Sequence, residues 1–225
     1  MSSFSKEWED VYRKELQLTS WPWSSLVSLV CRYCKDSIIS NGVVFELGCG
    51  YGPNIPFIQS LGMDYYGVEG SATVVSKLHQ KYKELKDKVV VGDFTNIKCF
   101  DNVPDIDIII DRAAVTHNNF SDIKFTLKNS YDALKNGGYF IGIDWFSTKH
   151  SDSILGKQSE DRFTRTDIET GQFKDVGRVH FSDEKHLRSL FSDFDIISLN
   201  ERVIKSYEPL NNHQFASWNI VAKKR

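Results

Sequence analysis

The chain has 225 residues and a mass of 25.8 kDa, a length that suits one α/β domain and buries enough surface for a full apolar core without staples. Hydrophobic residues make up 40% and charged residues 26%, which excludes wholesale disorder. Lys and Arg number 28 against 30 Asp and Glu, a net charge of −2 that lacks the basic excess of a generic nucleic-acid binder. Four cysteines are too few for a disulfide scaffold. No uncharged stretch approaches the ~20 residues that span a bilayer, and the start MSSFSKEWEDVYRK has no apolar signal core. The expectation is a cytoplasmic protein in a reducing environment, with no membrane and no nucleic acid among its partners.

In chain order, residues 6–15 suggest a charged helix with Trp8, Val11, Tyr12 and Leu16 near one stripe. Trp21-Pro22-Trp23 breaks it. Ser24 or Ser25 then caps a second helix to about residue 39, closed by Asn41-Gly42. Cys31 and Cys34 form a lone CxxC inside that helix. A zinc ribbon would need a second pair, so both read as packing cysteines. A strict alternation follows. Strands are expected at 43–47, 65–68, 89–91, 106–110 and 139–143, and helices at 54–61, 72–86 and 121–134. Strands alternating with helices imply parallel pairing through right-handed crossovers, hence a doubly wound sheet. Residues 147–178 break the rhythm with a polar stretch that carries Arg162, Arg165 and Arg178, the pattern of a substrate loop or lid. A helix at 182–191 and strands at 195–200 and 217–222 complete the chain. His79, His150, His186 and His213 sit in polar stretches and read as surface residues.

The sharpest local signal is Phe45-Glu46-Leu47-Gly48-Cys49-Gly50-Tyr51-Gly52, between the first strand and the next helix. Glycines there let the backbone turn tightly and approach a ligand, at the strand ends where open α/β sheets bind. The dinucleotide pattern G-x-G-x-x-G is not met. Pro53 stands where its third glycine would be and removes a donor that a pyrophosphate would want. Glu46 beside the turn also disfavours a phosphate and suits a cation. Glu69, at the end of the second strand, can accept both hydroxyl donors of a ribose.

These residues resemble a known family. The run Val44 to Gly52 is similar to motif I of the class I S-adenosylmethionine-dependent methyltransferases. Glu69 falls where that family places its ribose-binding acid, with Gly70 beside it. Gly92-Asp93-Phe94 falls where the family sets an acid against the adenine amino group and an apolar side chain against the ring. Leu134-Lys135-Asn136-Gly137-Gly138 matches its L-K-x-G-G turn. The resemblance implies a Rossmann-like, seven-stranded sheet with an antiparallel last strand, an N-terminal helical cap over residues 1–40, and a cofactor core over 43–145. A late insertion over 146–181 would cover the site, and 182–225 would complete the sheet of one domain. It implies S-adenosylmethionine as cofactor and S-adenosylhomocysteine as product. Glu46, Gly48, Cys49, Gly50, Gly52, Glu69, Gly70, Asp93 and Phe94 would hold the cofactor. Asp111 and Arg112, at the end of the fourth strand, and Tyr12 and Trp21, from the cap, are added to that set.

Methyl transfer to an alcohol needs a base, and histidine suits that near neutral pH. His117, in the loop after the fourth strand, is the expected general base, with Asp111 beside it. Trp23, Asn118, Trp145, Arg178 and His180 join His117 as candidate substrate contacts. Asp111 and Asp144 end adjacent strands and resemble the acid pair of cation-dependent O-methyltransferases. The asparagine that usually follows the second acid is Trp145 here, so no metal is expected. After the fourth strand the chain reads Asp111-Arg112-Ala113-Ala114, not the N/D/S-P-P-Y/F motif of DNA-adenine and protein-glutamine methyltransferases. A small-molecule acceptor is left by elimination. A hydroxyl is favoured, with a sugar preferred for the Arg, His and Asn of the loops. N- or S-methylation and a non-catalytic S-adenosylmethionine-binding role are the alternatives. A second copy of this chain is a candidate partner.

Overall fold

The computed structural model describes residues 6–13 and 19–225. The first helix, α1, covers Lys6–Arg13; Leu16 and the end of the expected helix lie outside the described residues. Helices α2 (Ser24–Tyr33) and α3 (Lys35–Ile39) replace the single helix expected there. The break is at Cys34, whose backbone leaves the helical region at φ −109° and ψ 32°. Cys34 is buried, whereas Cys31 is exposed and does not pack as expected. The α2 N-cap is Trp23, with no side-chain cap, and Ser25 Oγ instead accepts from Arg202 at 3.1 Å.

The alternation then runs β1 (Val43–Leu47), α4 (Ile55–Ser60), β2 (Asp64–Glu69), α5 (Ala72–Lys81), β3 (Val89–Val91), β4 (Ile106–Arg112), α6 (Phe120–Ala133) and β5 (Leu134–Phe146). The turn Lys135 to Gly138 lies inside β5. Leu134 pairs with Ile106 and Tyr139 with Ile108, so the four residues between bulge from the ladder. Residues 147–181 hold β6 (Lys157–Gln158), β7 (Thr164–Thr166) and β8 (Val179–His180), a three-stranded antiparallel sheet. Helix α7 (Glu184–Leu190), β9 (Phe194–Lys205) and β10 (Gln214–Lys224) complete the chain.

The main sheet has the order β3-β2-β1-β4-β5-β10-β9. Its first five strands are parallel, and β10 inserts antiparallel between β5 and β9. This is the Rossmann-like seven-stranded sheet that the sequence led one to expect. Side chains alternate across it. Phe45 and Ile109 face α6 and α7, with Ile123, Leu127, Leu187 and Leu190. Val44, Ile108 and Ile110 face α2, α4 and α5, with Val30, Ile58 and Val74. Both faces are covered, which is why these strands read as unbroken apolar runs. Among the described residues, no helix is long and apolar enough to cross a membrane.

One irregularity in β5 sets the direction in which Trp145 points. Trp218 opposes Trp145 and Ile220 opposes Gly142, so Ile143 and Asp144 together face Asn219. Asp144 adopts φ 56°, and its N–H is taken by Asn219 Oδ1 at 3.1 Å. The bulge turns Trp145 into the α6 and α7 core, where it is 1% exposed. Gly142 makes room for it, because a Cβ there would stand 2.8 Å from Trp145 Nε1. Gly142→Ala should therefore destabilise the fold by about 1–3 kcal/mol, read as a lower urea midpoint with an unchanged m-value.

Candidate functional site

A cleft opens at the carboxyl ends of the parallel strands. Glu46 and the glycine turn after β1, Glu69 at the end of β2, Gly92 to Phe94 after β3, and Arg112 at the end of β4 all line it. The turn needs its glycines. Gly48 sits at φ 62°, and a Cβ there would come within 2.4 Å of the Ala114 Cβ. Gly50 sits at φ 51° and a Cβ would meet only the Tyr12 hydroxyl, at 3.3 Å, so here bare backbone faces the cleft. The Gly50 N–H donates to Glu69 Oε2 at 2.9 Å, and the Ser71 N–H donates to Oε1 at 2.9 Å. Burial raises the Glu69 pKa, and these backbone donors oppose the shift.

Glu46 is 2% exposed and already engaged. Asn54 Nδ2 donates to its Oε1 at 2.7 Å and the Tyr65 hydroxyl to its Oε2. Burial pushes its pKa up to about 7, with both hydrogen bonds opposing. Asn54 lines the cleft, and its Oδ1 is buried without a partner. An orphaned acceptor beside a buried carboxylate is a seat for a cationic donor such as an ammonium. The site thus fits an amino-acid-bearing nucleoside better than a pyrophosphate. Asp93 Oδ1 accepts from the Thr95 N–H at 3.0 Å and hydroxyl at 2.7 Å, and Phe94 lines the wall next to it. Cys49, Gly70 and Tyr12 also line the cleft, whereas Gly52 packs away from it against Ile55 and Leu78.

His117 closes the other end. Its Nδ1 lies 2.9 Å from the Arg178 carbonyl, which can only accept, so Nδ1 carries the proton and Nε2 keeps a free lone pair. Burial lowers its pKa to about 4, so the ring is neutral at pH 7. Trp8 meets it edge-on at 4.9 Å, with Phe146 at 5.7 Å and Phe173 at 6.4 Å. Asn118 lines the cleft beside it while its Nδ2 donates to the Val115 carbonyl. Arg112 lies over the Trp23 ring at 3.8 Å, pairs with Asp144 at 3.4 Å and lines the cleft with Trp23.

Several expected site residues lie elsewhere. Asp111 does not reach the cleft. Its Oδ1 accepts from the Ala114 and Val115 N–H groups and its Oδ2 from Trp145 Nε1 at 2.6 Å. It is a buried acid that caps the turn leading to His117, and burial pushes its pKa up to about 7. Trp145 is correspondingly a core residue and no substrate contact. Asp144 is engaged by Arg112 and by Arg202, at 3.5 Å. Trp21 is 78% exposed and away from the cleft. The Arg178 side chain turns to Glu160, with Nε–Oε1 at 2.7 Å, and only its carbonyl serves the site. His180, in β8 of the insertion, is buried between Thr164 and His186, each 2.9 Å away. His150 and His186 are buried too, against the expectation of surface residues.

Sequence reasoning missed Trp8, Asn54, Phe146, Gln172, Phe173, Val176 and Phe215, all of which line the cleft. Asn54 could have been found as the first polar residue after the glycine turn. The insertion aromatics carry no motif. His150, Asp152 and His213, within 4.8 Å of one another, stand behind that wall. His150 Nδ1 accepts from the Asp152 N–H, and Asp152 Oδ2 accepts from the Phe173 N–H at 3.1 Å.

Residues 45–142 match the family model of a methyltransferase domain. No curated protein matches the chain. Solved structures share its fold. A SAM-dependent methyltransferase from Anabaena variabilis ATCC 29413 aligns at TM-score 0.67 and 15% identity, over 100% of this chain and 98% of that one. TehB from Haemophilus influenzae aligns at TM-score 0.63 and 18% identity, over 96% of this chain and 67% of its own. Magnesium protoporphyrin IX methyltransferase from Synechocystis PCC 6803, solved with bound SAM, aligns at TM-score 0.58 and 14% identity, over 98% and 90%. At such identities the likeness is one of fold.

The Asp111 and Trp145 pair sets a pH-dependent expectation. The raised pKa means that burial penalises the ionised acid, a penalty that grows as pH rises through about 7. The indole N–H offsets part of it. Trp145→Phe should cost about 1–3 kcal/mol, and more at about pH 8.5 than at about pH 5.5, in urea unfolding at both.

Proposed function

We propose that this protein is a class I S-adenosylmethionine-dependent methyltransferase, a reading supported by the methyltransferase-domain match over residues 45–142, and that it transfers a methyl group to a hydroxyl of a small molecule, with His117 as the general base. The observation that carries this reading is the fixed tautomer of His117. The Arg178 carbonyl holds the proton on Nδ1, and a neutral ring presents Nε2 as an acceptor at the cleft.

S-adenosylmethionine supplies a methyl carbon already activated by its sulfonium. Glu69 would take the ribose hydroxyls, Asn54 Oδ1 and Glu46 the ammonium, and Asp93 and Phe94 the adenine. Tyr12 and the bare backbone at Gly50 would close on the methionine end. The chain's contribution to the reaction is positioning and proton removal. His117 Nε2 accepts the hydroxyl proton as the oxygen attacks, and its ring passes that proton to solvent. Gln172, Phe173 and Val176 place the insertion over the acceptor side, and α1 and α2 bring Trp8, Tyr12 and Trp23 as a cap. In this reading the chain works as one unit, with a cap, a cofactor core, a cover and a sheet completion.

His117→Ala should lower kcat by about 10²–10⁴-fold while calorimetry finds S-adenosylmethionine affinity unchanged; full turnover in the variant would remove His117 as base. Glu69→Ala should weaken that affinity by about 1–3 kcal/mol, the scale of lost charge-assisted hydrogen bonds. Glu46 adds a pH signature. Its pKa near 7 makes the carboxylate available to a cation only above that pH. Affinity should fall as pH drops below about 7, by at most about tenfold per pH unit, and Glu46→Gln should flatten the profile.

A further inference from the structure

The acceptor end of the cleft differs in chemistry from the cofactor end. Trp8, Trp23, Phe146, Phe173, Val176 and Phe215 form its walls. Phe146 and Phe173 lie 4.4 Å apart, centroid to centroid, and both rings approach His117. Among the described residues at this end, only Arg112 carries a charge; its guanidinium lies on the Trp23 face and pairs with Asp144 through one terminal nitrogen, while its Nε is buried without a partner. Polar side chains are few at this end: Asn118 and Gln172 line it near His117, Asn118 already donates to the Val115 carbonyl, and the Arg178 and His180 side chains point elsewhere.

From this wall, and resting on the methyl-transfer reading above, we infer that the acceptor is a planar aromatic compound with a phenolic hydroxyl. Two arguments support it. A sugar would bring several hydroxyls against mostly aromatic walls that offer few partners to replace water, whereas a flat ring gains by burying apolar area and stacking. The second argument is proton affinity. Buried His117 is a weak base, with its pKa lowered to about 4. A phenol, with a pKa of about 10 like tyrosine, surrenders its proton to such a base far more readily than an alkanol, which lies closer to water at about 15.7. In the transfer the phenolic oxygen forms a bond to the methyl carbon as the carbon–sulfur bond breaks. The electron pair goes to sulfur, leaving a neutral thioether, and the phenolic proton passes to His117 Nε2 and then to solvent.

The test begins with calorimetry of S-adenosylmethionine on the full-length wild-type protein. It then offers 2-naphthol, catechol, cyclohexanol, glucose, aniline and thiophenol with methyl-labelled S-adenosylmethionine. The expected result is label in the phenols, with kcat/KM at least about a hundredfold above cyclohexanol and glucose. Phe173→Leu, which keeps an apolar side chain but removes the ring, should raise KM for 2-naphthol about tenfold or more, with cofactor affinity retained and the fold confirmed by an unchanged far-UV circular dichroism spectrum at the assay temperature. Equal or better transfer to cyclohexanol or glucose would overturn the aromatic acceptor. So would cofactor binding with no phenol methylated. Label in aniline or thiophenol alone would overturn the hydroxyl. Absence of cofactor binding would instead bring down the methyl-transfer reading itself.

Discussion

The Glu69 carboxylate is the contact on which the cofactor end depends. It sits at the end of β2, 4% exposed, and ties the Gly50 N–H of the first turn to the Ser71 N–H at the start of α5. A buried charge must find donors, and the donors here belong to two different loops. The glycine turn is thereby set against β2, together with the Gly48 and Cys49 N–H groups that donate to the Val68 carbonyl. The Ser71 side chain adds a cap on α5 by accepting from the Val74 N–H. Strand ends, glycine turn and helix start are one hydrogen-bonded unit.

Asp111 does the same for the acceptor end by different means. Three N–H donors from Ala114, Val115 and Trp145 surround it. Two of them fix the turn that delivers His117, and the third comes from a tryptophan that reaches Asp111 only because the Asp144 bulge rotates it. Depth matters for both ends. Burial raises the pKa of Glu46 and Asp111 and lowers that of His117, so at neutral pH the histidine is an uncharged acceptor. A protonated His117 would have no lone pair to offer.

Most of the scaffold was legible in the sequence, because strands buried on both faces leave unbroken apolar runs and glycine turns leave glycines. What was not legible depends on bends and backbone. Nothing in the sequence marks the break at Cys34 or the bulge at Asp144, since both depend on tertiary packing. Asp111 was misplaced because a carboxylate at a strand end reads the same whether it faces a ligand or three N–H groups. Arg178 and His180 were taken as substrate contacts on chemistry alone, while the group that serves His117 is a main-chain carbonyl 61 positions away, which no residue type announces. Trp21 and Trp23 are equivalent in sequence, and the chain direction at α2 exposes one and turns the other to the cleft. Phe173 reaches the cleft only because the insertion folds on its own small core with Phe146 and Phe181.

Most of the cofactor wall of the cleft and most of its apolar acceptor wall also fall in different stretches of the chain. Glu46 to Asn54, Glu69, Gly92 to Phe94 and Arg112 to Asn118 all lie within residues 45–142. Trp8, Trp23, Phe146, Gln172, Phe173, Val176 and Phe215 all lie outside it. Most of the cofactor wall thus lies in the segment that the family model matches, with Tyr12 outside it, while the aromatic walls of the other end lie in flanking sequence, with His117 inside the matched segment. A cousin with the same glycine turn could take a wholly different guest.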